Sequence, residues 1–301
     1  AYFQTVLWTG DGNSTQAITN TGNSDLQPDF IWSKLRSGAN SHHVSDTSRG
    51  ITIKSATNNT NAEGTDATIH ASVQSDGFTV GDAGAVNTDS ATYVAWQWKC
   101  NGGTRTTNTE SGNNPAGGYQ ANTTAGFSII DYTGTGATGT MAHGLGVIPE
   151  WIVFKARAGT ENWPNYHVST GNTHAVDLNR TVAKQDNDTL FNDTTPTSSV
   201  FTVGSDSAIN ADGVAYIAYC FTPIQGYSKF GSYVGNGNDD GPFIYTGFKP
   251  AMFFRKRTDG ANGWNIWDNQ RATFNEMHTS SAIHTTAAEY SNTGYNDIDF
   301  L

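Results

Sequence analysis

The side chains of this sequence that could do chemistry are scattered acids, histidines and tryptophans in turns rich in Gly and Asn. Asp46 and Arg49 are three residues apart, and Asp268 and Arg271 repeat that spacing. The spacing is typical of an ion pair that ties a loop to its sheet. His42–His43 could offer two imidazoles to a metal, but adjacent residues of a strand point to opposite faces. We therefore predict two structural ion pairs and no metal site.

Motifs that signal a catalytic site are missing from the sequence. It contains no Gly-x-Ser-x-Gly elbow, no His-Glu-x-x-His pair, no phosphate-binding loop and no paired cysteines for zinc. Glycoside hydrolysis requires two opposed carboxylates, whereas most aspartates here lie in Gly/Asn turns, where the side chain caps the turn. We predict that the protein is not an enzyme, has no catalytic residue and needs no cofactor.

Tryptophans in two polar loops are the candidates for ligand recognition. The candidate set is Trp163, Trp264, Trp267, Asp268 and Arg271. Tryptophan rings stack on the apolar faces of sugars, and neighbouring polar groups can bond the hydroxyls. The alternative, which we favour, is that the tryptophans fill the core of a β-sandwich.

Three further turns resemble binding sites. Asp11–Asn13 and Asn236–Gly241 offer the oxygen ligands that calcium prefers, but neither has the full spacing of a calcium loop. Turn chemistry accounts for them, and calcium binding stays an open alternative. In His143–Pro149 two glycines permit a tight turn before an apolar strand, which favours turn architecture over a histidine site.

Composition narrows the class of protein. The 301 residues carry a net charge of −11, and only 14% of them are charged while 12% are aromatic. A nucleic-acid-binding protein needs a basic footprint, which this acidic chain lacks. No apolar run approaches the ~18 residues of a membrane helix, so no membrane insertion is expected. Strand-forming Thr, Val and aromatic residues alternate with turn-forming Gly and Asn, which predicts an all-β fold. Cys100 and Cys220 are too few for a disulfide framework and occupy non-equivalent places in the repeat described below, so we expect both to be free thiols.

One pattern occurs three times along the chain: Pro, a spacer, a large apolar residue and then Lys six positions after the Pro. The copies are Pro28–Lys34, Pro149–Lys155 and Pro250–Lys256, followed by Arg36, Arg157 and Arg257. Upstream of each copy an aromatic segment ends in Gly-x-Gly. Downstream, Gly77–Gly81 and Tyr93–Trp98 of the first copy return as Val200–Gly204 and Tyr216–Phe221 in the second. The chain is therefore built from tandem repeats.

The repeat divides the chain into units. Residues 1–100 form the first, residues 101–124 a Gly/Thr/Asn-rich linker, residues 125–224 the second and residues 228–301 a partial third. Short strands with frequent turns predict a β-sandwich in each unit, of jelly-roll or lectin-like form. The third unit lacks its own Gly-Phe-Thr-Val and Tyr-x-Ala strands. We expect another chain, or further sequence, to cover its open apolar face.

The three repeated lysines invite two interpretations. Lys34, Lys155 and Lys256 could pair with acids of their own unit, such as Asp46 or Asp268, for ~0–1 kcal/mol if exposed. They could instead carry contacts between neighbouring units or chains, as interface residues. We favour the first, because the Asp-x-x-Arg motif accompanies the lysine in two units of three.

The second unit resembles a repeat in virion proteins of tailed phages. The run from Asn122 to Gly136, the His143–Gly146 turn and the Pro149-to-Lys155 element carry the resemblance, and Gly77–Val80 and Tyr93–Trp96 fit the same repeat. Such proteins are common in marine and cyanobacterial phages, where they are labelled tail-fibre or structural proteins with a domain of unknown function. The first unit lacks the His-Gly-Leu-Gly turn. The resemblance implies a place in the virion, an extracellular particle, and transfers no activity to any residue.

These observations predict a phage virion structural protein, in a tail fibre or related surface appendage, that contributes to host adhesion. The alternatives are a lectin-like carbohydrate-binding module, a capsid decoration protein and, least favoured, a polysaccharide depolymerase. The expected partners are other virion proteins, copies of the chain itself in a homo-oligomer, and host-surface glycans. Nucleic acid is not expected among them.

Overall fold

The computed structural model describes residues 1–238, 240–273 and 277–291. Across these ranges the regular structure consists of β-strands and two helices of four residues each, so the all-β prediction is confirmed. No helix in the described part of the chain has the length and apolar character needed to cross a bilayer. The strands form antiparallel sheets of the sandwich type.

The first unit is a two-layered sandwich. Its strands are β1 (Phe3–Thr9), β2 (Gln16–Ile18), β3 (Phe30–Leu35), β4 (His43–Asp46), β5 (Ile53–Ala56), β6 (Gly64–Thr65), β7 (His70–Gln74), β8 (Gly77–Val80) and β9 (Thr92–Trp98). The main sheet has the order β1-β9-β3-β4-β5-β6, and a smaller sheet, β2-β8-β7, lies over one face. The two layers meet where Ile31 and Tyr93 pack against Phe78, all three fully buried.

The second unit repeats this plan with a wider sheet. Its elements are β10 (Thr106–Asn108), β11 (Gly117–Asn122), β12 (Phe127–Thr133), β13 (Gly139–Ala142), β14 (Trp151–Ala156), β15 (Pro164–His167), β16 (Gly171–Asp177), β17 (Gln185–Asp186), α1 (Asp188–Phe191), β18 (Val200–Val203), α2 (Ser207–Asn210) and β19 (Ala215–Phe221). The main sheet runs β10-β11-β12-β19-β14-β15-β16-β17. Strands β13 and β18 pair with each other, and cluster with α1 and α2 around Phe201 over its outer face.

The stretch predicted as a linker is structured. Strands β10 and β11 lie within 101–124 and extend the second sheet, because β11 pairs with β12 over six residues. Gln120 on β11 is 1% exposed and donates hydrogen bonds to the Thr47 and Ser48 hydroxyls of the first unit. The linker prediction was wrong, because Tyr119 and Ala121 pack on the core of the second unit and Gln120 binds the first unit.

The third unit contributes one layer to the described structure. Its strands β20 (Met252–Arg255), β21 (Asn265–Asp268), β22 (Thr279–Ala282) and β23 (Tyr290–Ser291) form a sheet in that order. Pairing of β20 with β21 matches that of β3 with β4 and of β14 with β15, since Met252 opposes Asp268 as Phe30 opposes Asp46. The segment from Phe230 to Val234, which aligns with β1 and β12, is not a strand.

The three main sheets face one another around a common core. Trp32 of the first unit stacks on Phe254 of the third at 5.6 Å, and Trp151 of the second lies 5.5 Å from the same ring. Phe30 contacts Tyr219 across the first and second units at 4.7 Å. The sequence predicted a β-sandwich in each unit; the described units also share one interior. The expected open inner face of the third unit is therefore covered by the other two.

In the first two units the two glycines of the Gly-x-Gly turn serve different purposes. A Cβ added at Gly10 would lie 2.2 Å from the carbonyl oxygen of Thr88, and one at Gly134 would lie 2.3 Å from that of Ala211. Gly12 and Gly136 have φ of +67° and +70°, which favours glycine. The first glycine thus lets the turn pack against the segment that leads into β9 or β19.

Candidate functional site

The contacts between the units are the best-defined polar feature of the molecule. At one end of its main sheet each unit presents the repeated lysine to a neighbour: Lys34 reaches the third unit, Lys155 the first and Lys256 the second. Each junction is head-to-tail, and after three units the ring closes. We call the three contacts the 1/2, 2/3 and 3/1 junctions. A closed ring of this kind is the intrachain counterpart of a cyclic trimer.

The lysines bind backbone carbonyl oxygens and bridge two units. Lys155 Nζ donates to the carbonyl of Thr60 at 2.9 Å in the first unit and to that of Glu161 at 2.6 Å in its own. Lys256 Nζ donates to Val182 at 2.8 Å and to Asn262 at 2.6 Å. Lys34 Nζ reaches Thr286 at 3.4 Å.

This arrangement corrects the preferred sequence interpretation. The acids proposed as partners, Asp46 and Asp268, are bound by Arg49 and Arg271. A carbonyl partner leaves no trace in the side-chain sequence, so the motif alone pointed to the wrong acceptors. Burial lowers the pKa of Lys34, Lys155 and Lys256 to about 8 in each case, opposed at Lys34 by the Glu289 carboxylate.

Replacing Lys155 with methionine is expected to lower the free energy of unfolding by about 1–3 kcal/mol, because two carbonyl groups at the 1/2 junction lose their donor. Chemical denaturation followed by tryptophan fluorescence would measure the change. Lys249→Met, at an exposed lysine, is the matched control and should leave the midpoint unchanged. Equal midpoints for wild type and Lys155→Met would show that the contact contributes no stability.

An arginine–glutamate pair closes two of the junctions. Arg157 binds Glu63 at 2.8 Å across the 1/2 junction, and Arg36 binds Glu289 at 2.8 Å across the 3/1 junction. Each glutamate also donates its backbone N–H to the carbonyl of its arginine partner, at 3.0 Å. The repeat in the sequence indicated these arginines but not the glutamates. Each glutamate lies three residues after the threonine, Thr60 or Thr286, whose carbonyl accepts a hydrogen bond from the repeated lysine.

The 2/3 junction has a lysine where the other two have glutamate. Lys184 lies three residues after Thr181 and donates its backbone N–H to the Thr258 carbonyl at 2.9 Å. Arg257 pairs instead with Asp259 of its own unit at 2.7 Å, in an exposed position. The backbone contact is thus kept at all three junctions, and the ion pair across the junction at two.

Replacing Lys184 with glutamate is expected to raise the melting temperature slightly, because it puts a carboxylate at the position of Glu63 and Glu289, on the junction that carries Arg257. Thermal unfolding at low and high salt would measure the effect, which should shrink as salt screens the pair. Lys184→Gln removes the positive charge without adding a carboxylate and serves as the control. A glutamate variant no more stable than the glutamine variant would contradict the equivalence of the junctions.

Two buried ion pairs lie where the sheets meet the core, as the spacing predicted. Asp46 and Arg49 are joined at 2.7 Å with both side chains fully buried. Tyr219 of the second unit donates its hydroxyl to Asp46 at 2.9 Å and accepts from Arg49 at 3.1 Å. Burial raises the pKa of Tyr219 well above its usual value, so the phenol stays protonated.

The second pair has the same geometry at the 3/1 junction. Asp268 and Arg271 are joined at 2.6 Å, again fully buried, and Trp96 of the first unit donates its indole N–H to Asp268 at 3.0 Å. Trp96 and Tyr219 are equivalent positions of β9 and β19. Neither aromatic partner was predicted from the sequence, although the repeat places Trp96 and Tyr219, each with a polar side-chain atom, at the same position of β9 and β19.

The tryptophans proposed for sugar binding are inside the molecule. Trp163 is 1% exposed, Trp264 6% and Trp267 0%. The Trp163 indole donates to the carbonyl of Ala56 in the first unit, and the Trp264 indole to that of Asp177 in the second. Asp268 and Arg271 form a buried ion pair with each other. The five residues of the candidate ligand site are therefore junction and core residues, and offer no exposed ring face to a ligand.

The remaining candidates take up turn and core positions. Asp11 accepts hydrogen bonds from the Asn13 backbone and the Asn87 amide, and His143 accepts from the Leu145 N–H in its turn. Asp239, in the second turn considered for calcium, lies outside the described residues. Cys100 and Cys220 are free and buried, and burial raises the pKa of both thiols. His42 and His43 are buried as well.

One family model, of a domain of unknown function (DUF7483), matches residues 1–301. The chain belongs to this family. The match spans all three units, so the family covers the whole ring together with its junctions. No curated protein and no solved structure matches the chain.

The interior of this DUF7483 ring offers little room for a ligand. A void of about 20 Å³ lies between the units, lined by side chains that include Trp32, Trp98, Val153, Trp163 and Phe254. A space of that size holds about one water, and an apolar lining keeps such voids dry. Across the described residues, no three His, Cys, Asp or Glu side chains lie close enough together to hold a metal ion.

Proposed function

We propose that this protein is a structural component of a tailed-phage virion, in a tail fibre or a related surface appendage. The observation that carries the proposal is the closure of three repeat units into a ring around one apolar core. The lysine, arginine and tryptophan side chains that were candidates for binding are used there as internal ties. Such a body suits a mechanical role, and its threefold-like cross-section suits a fibre with a threefold axis.

The resemblance of the second unit to phage tail-fibre and structural repeats supports the same role. The chain's net charge of −11 agrees with a soluble particle surface that does not bind nucleic acid. A capsid decoration protein is the second candidate, because the threefold-like ring also suits a threefold position of an icosahedral lattice. The lectin-like alternative has lost the exposed tryptophans on which it rested.

Labelling of purified virions tests the location. Antibodies raised against the 301-residue chain and carried on gold particles should mark the tail or its fibres, and the chain's peptides should appear in the protein digest of the particles. Pre-immune serum is the control. Label on the capsid would replace the fibre by the decoration protein. Particles that contain no peptide of the chain would overturn the virion proposal.

We also propose that the protein acts without catalysis. Incubation of the chain with purified surface polysaccharide of the host should release no new reducing ends, while a known depolymerase in the same assay should release them. New reducing ends that persist in the protein after repeated purification would overturn this part of the proposal.

A further inference from the structure

Strand β20 of the third unit lacks a neighbour that its two equivalents have. Strand β3 lies between β9 and β4, and β14 lies between β19 and β15. In the described residues β20 pairs on one side, with β21, and is the end strand of its sheet. The segment that would flank the missing strand on the other side, from Phe230 to Val234, is not paired into a sheet. We call the space between this segment and β20 the third-unit slot.

The residues of β20 are also less buried than those of its equivalents, β3 and β14. All six residues of β14 are buried, and so are the first five of β3. All four residues of β20 are half-buried instead. Phe253 on β20 occupies the position of Ile31 and Ile152, which are 0% and 1% exposed beneath their outer layers.

Gly235 is an independent sign that the slot receives a strand. It occupies the position of Gly10 and Gly134, where a Cβ would collide with the backbone that leads into β9 or β19. At Gly235 nothing lies within 4 Å of such a Cβ. The φ of Gly235 is also not in the left-handed region, so nothing in the described fold requires glycine there. If a strand entered the slot, its backbone would approach residue 235 as closely as at Gly10 and Gly134, and glycine would be needed there.

The segment beside the slot exposes large apolar side chains. Val234 is 88% exposed, Phe243 78% and Tyr245 71%. In the first two units the chain after the corresponding Gly-x-Gly turn pairs into the outer layer, as β2 with β8 and β13 with β18. Exposed apolar surface next to an open strand edge is typical of a place where another strand adds to a sheet.

We propose that the third-unit slot binds one β-strand of the β9/β19 type, supplied by a different polypeptide that is not a copy of this chain. The occupant is defined by its pattern: an extended strand with large apolar side chains on both faces, as in Thr92–Trp98 and Ala215–Phe221. It would pair antiparallel with β20 on one side and with the Phe230 segment on the other, as β19 pairs with β14 and β12. This inference does not depend on the proposed virion role.

Ring symmetry specifies one further contact. Trp96 donates a hydrogen bond to Asp268 in the third unit, and Tyr219 donates one to Asp46 in the first. These two aspartates occupy equivalent positions, since Asp268 pairs with the first residue of β20 and Asp46 with the first residue of β3. The equivalent residue of the second unit is His167, opposite Trp151. A strand in the slot would therefore bring its matching aromatic residue to His167, which now lies beside Phe230 at 6.4 Å.

The test uses the full chain and a synthetic peptide of residues 212–223, which contains β19. Under reducing conditions the peptide should bind and protect the backbone amides of residues 230–235 and 252–255 from hydrogen exchange. It should also shift the ring resonances of His167. A peptide with Ala218→Pro is the control, because proline cannot complete the ladder.

Gly235→Ala is the matched protein variant. In the free chain its added methyl meets nothing, so its stability should equal that of wild type. In the complex the methyl would collide with the incoming backbone, so peptide binding should weaken by about tenfold or more. Peptide binding of equal strength to wild type and Gly235→Ala would overturn the proposed position of the strand.

Three other outcomes would overturn the proposal. One is that the peptide leaves the amides of β20 unprotected at any concentration. Another is that the free chain already protects them as a monomer, which would mean that the slot is filled from within. The third is that sedimentation shows a dimer with these amides protected, which would make a second copy, and not an independent strand, the occupant.

Discussion

Replacing Arg49 with methionine is expected to lower the free energy of unfolding by about 3–5 kcal/mol. The substitution leaves the Asp46 carboxylate fully buried beside Tyr219 without its counter-charge, and removal of one partner of a buried pair carries that cost. The Ser55 hydroxyl loses its arginine partner as well. Urea unfolding at pH 7.5 would measure the change.

The double variant Asp46→Asn/Arg49→Met separates charge from packing. With both charges gone, no carboxylate is stranded, and the loss should be clearly smaller than in Arg49→Met alone. The second unit indicates that the fold tolerates such a change, since it has His167 and Thr170 at these two positions. A single variant that loses less than about 1 kcal/mol would show that water reaches the Asp46 carboxylate.

The same ion pair shows how far the sequence could predict this fold. The Asp-x-x-Arg spacing is local, so the pairing of Asp46 with Arg49 and of Asp268 with Arg271 followed from the sequence. The repeat likewise predicted strands and turns, because periodicity and glycine act within a few residues. Tyr219 lies 173 residues from Asp46, and no local pattern could indicate that these two side chains meet.

Ring closure was the step that the sequence could not predict. Lys34 contacts a backbone carbonyl 252 residues away. Because every residue has a carbonyl, nothing in the sequence marks which residue accepts this hydrogen bond. Composition was also misleading at 101–124, because only a few of its residues, among them Tyr119, Gln120 and Ala121, make the contacts that hold β11 in the structure. The tryptophans were ambiguous because the same residue type suits a sugar site and an apolar core.

Acidification is expected to destabilise the protein steeply between about pH 6.5 and pH 4. Burial lowers the pKa of His43 to about 4, with Lys54 adding to the effect, and that of His70 to about 3. Burial, then Lys34, lowers the pKa of His42 well below its usual value. Unfolding exposes all three to water, where each takes up a proton near pH 6.5. The unfolded state therefore binds more protons in this range, and stability falls as the pH falls.

The three histidines of the first unit correspond to about 4 kcal/mol per pH unit near pH 5, at 1.36 kcal/mol for each proton, and His167 adds to this slope because burial lowers its pKa to about 4 as well. Urea midpoints between pH 7.5 and pH 4.5 would measure it. His70→Gln should reduce the slope by about 1.4 kcal/mol per pH unit, because His70 lies between the hydroxyls of Ser33 and Ser45 and takes up its proton only on unfolding. At pH 7.5 histidine is neutral in both states, so any difference there reports packing alone. A wild-type slope below about 1.4 kcal/mol per pH unit would mean that water reaches these histidines in the folded state, and that the first unit is less tightly closed than its contacts indicate.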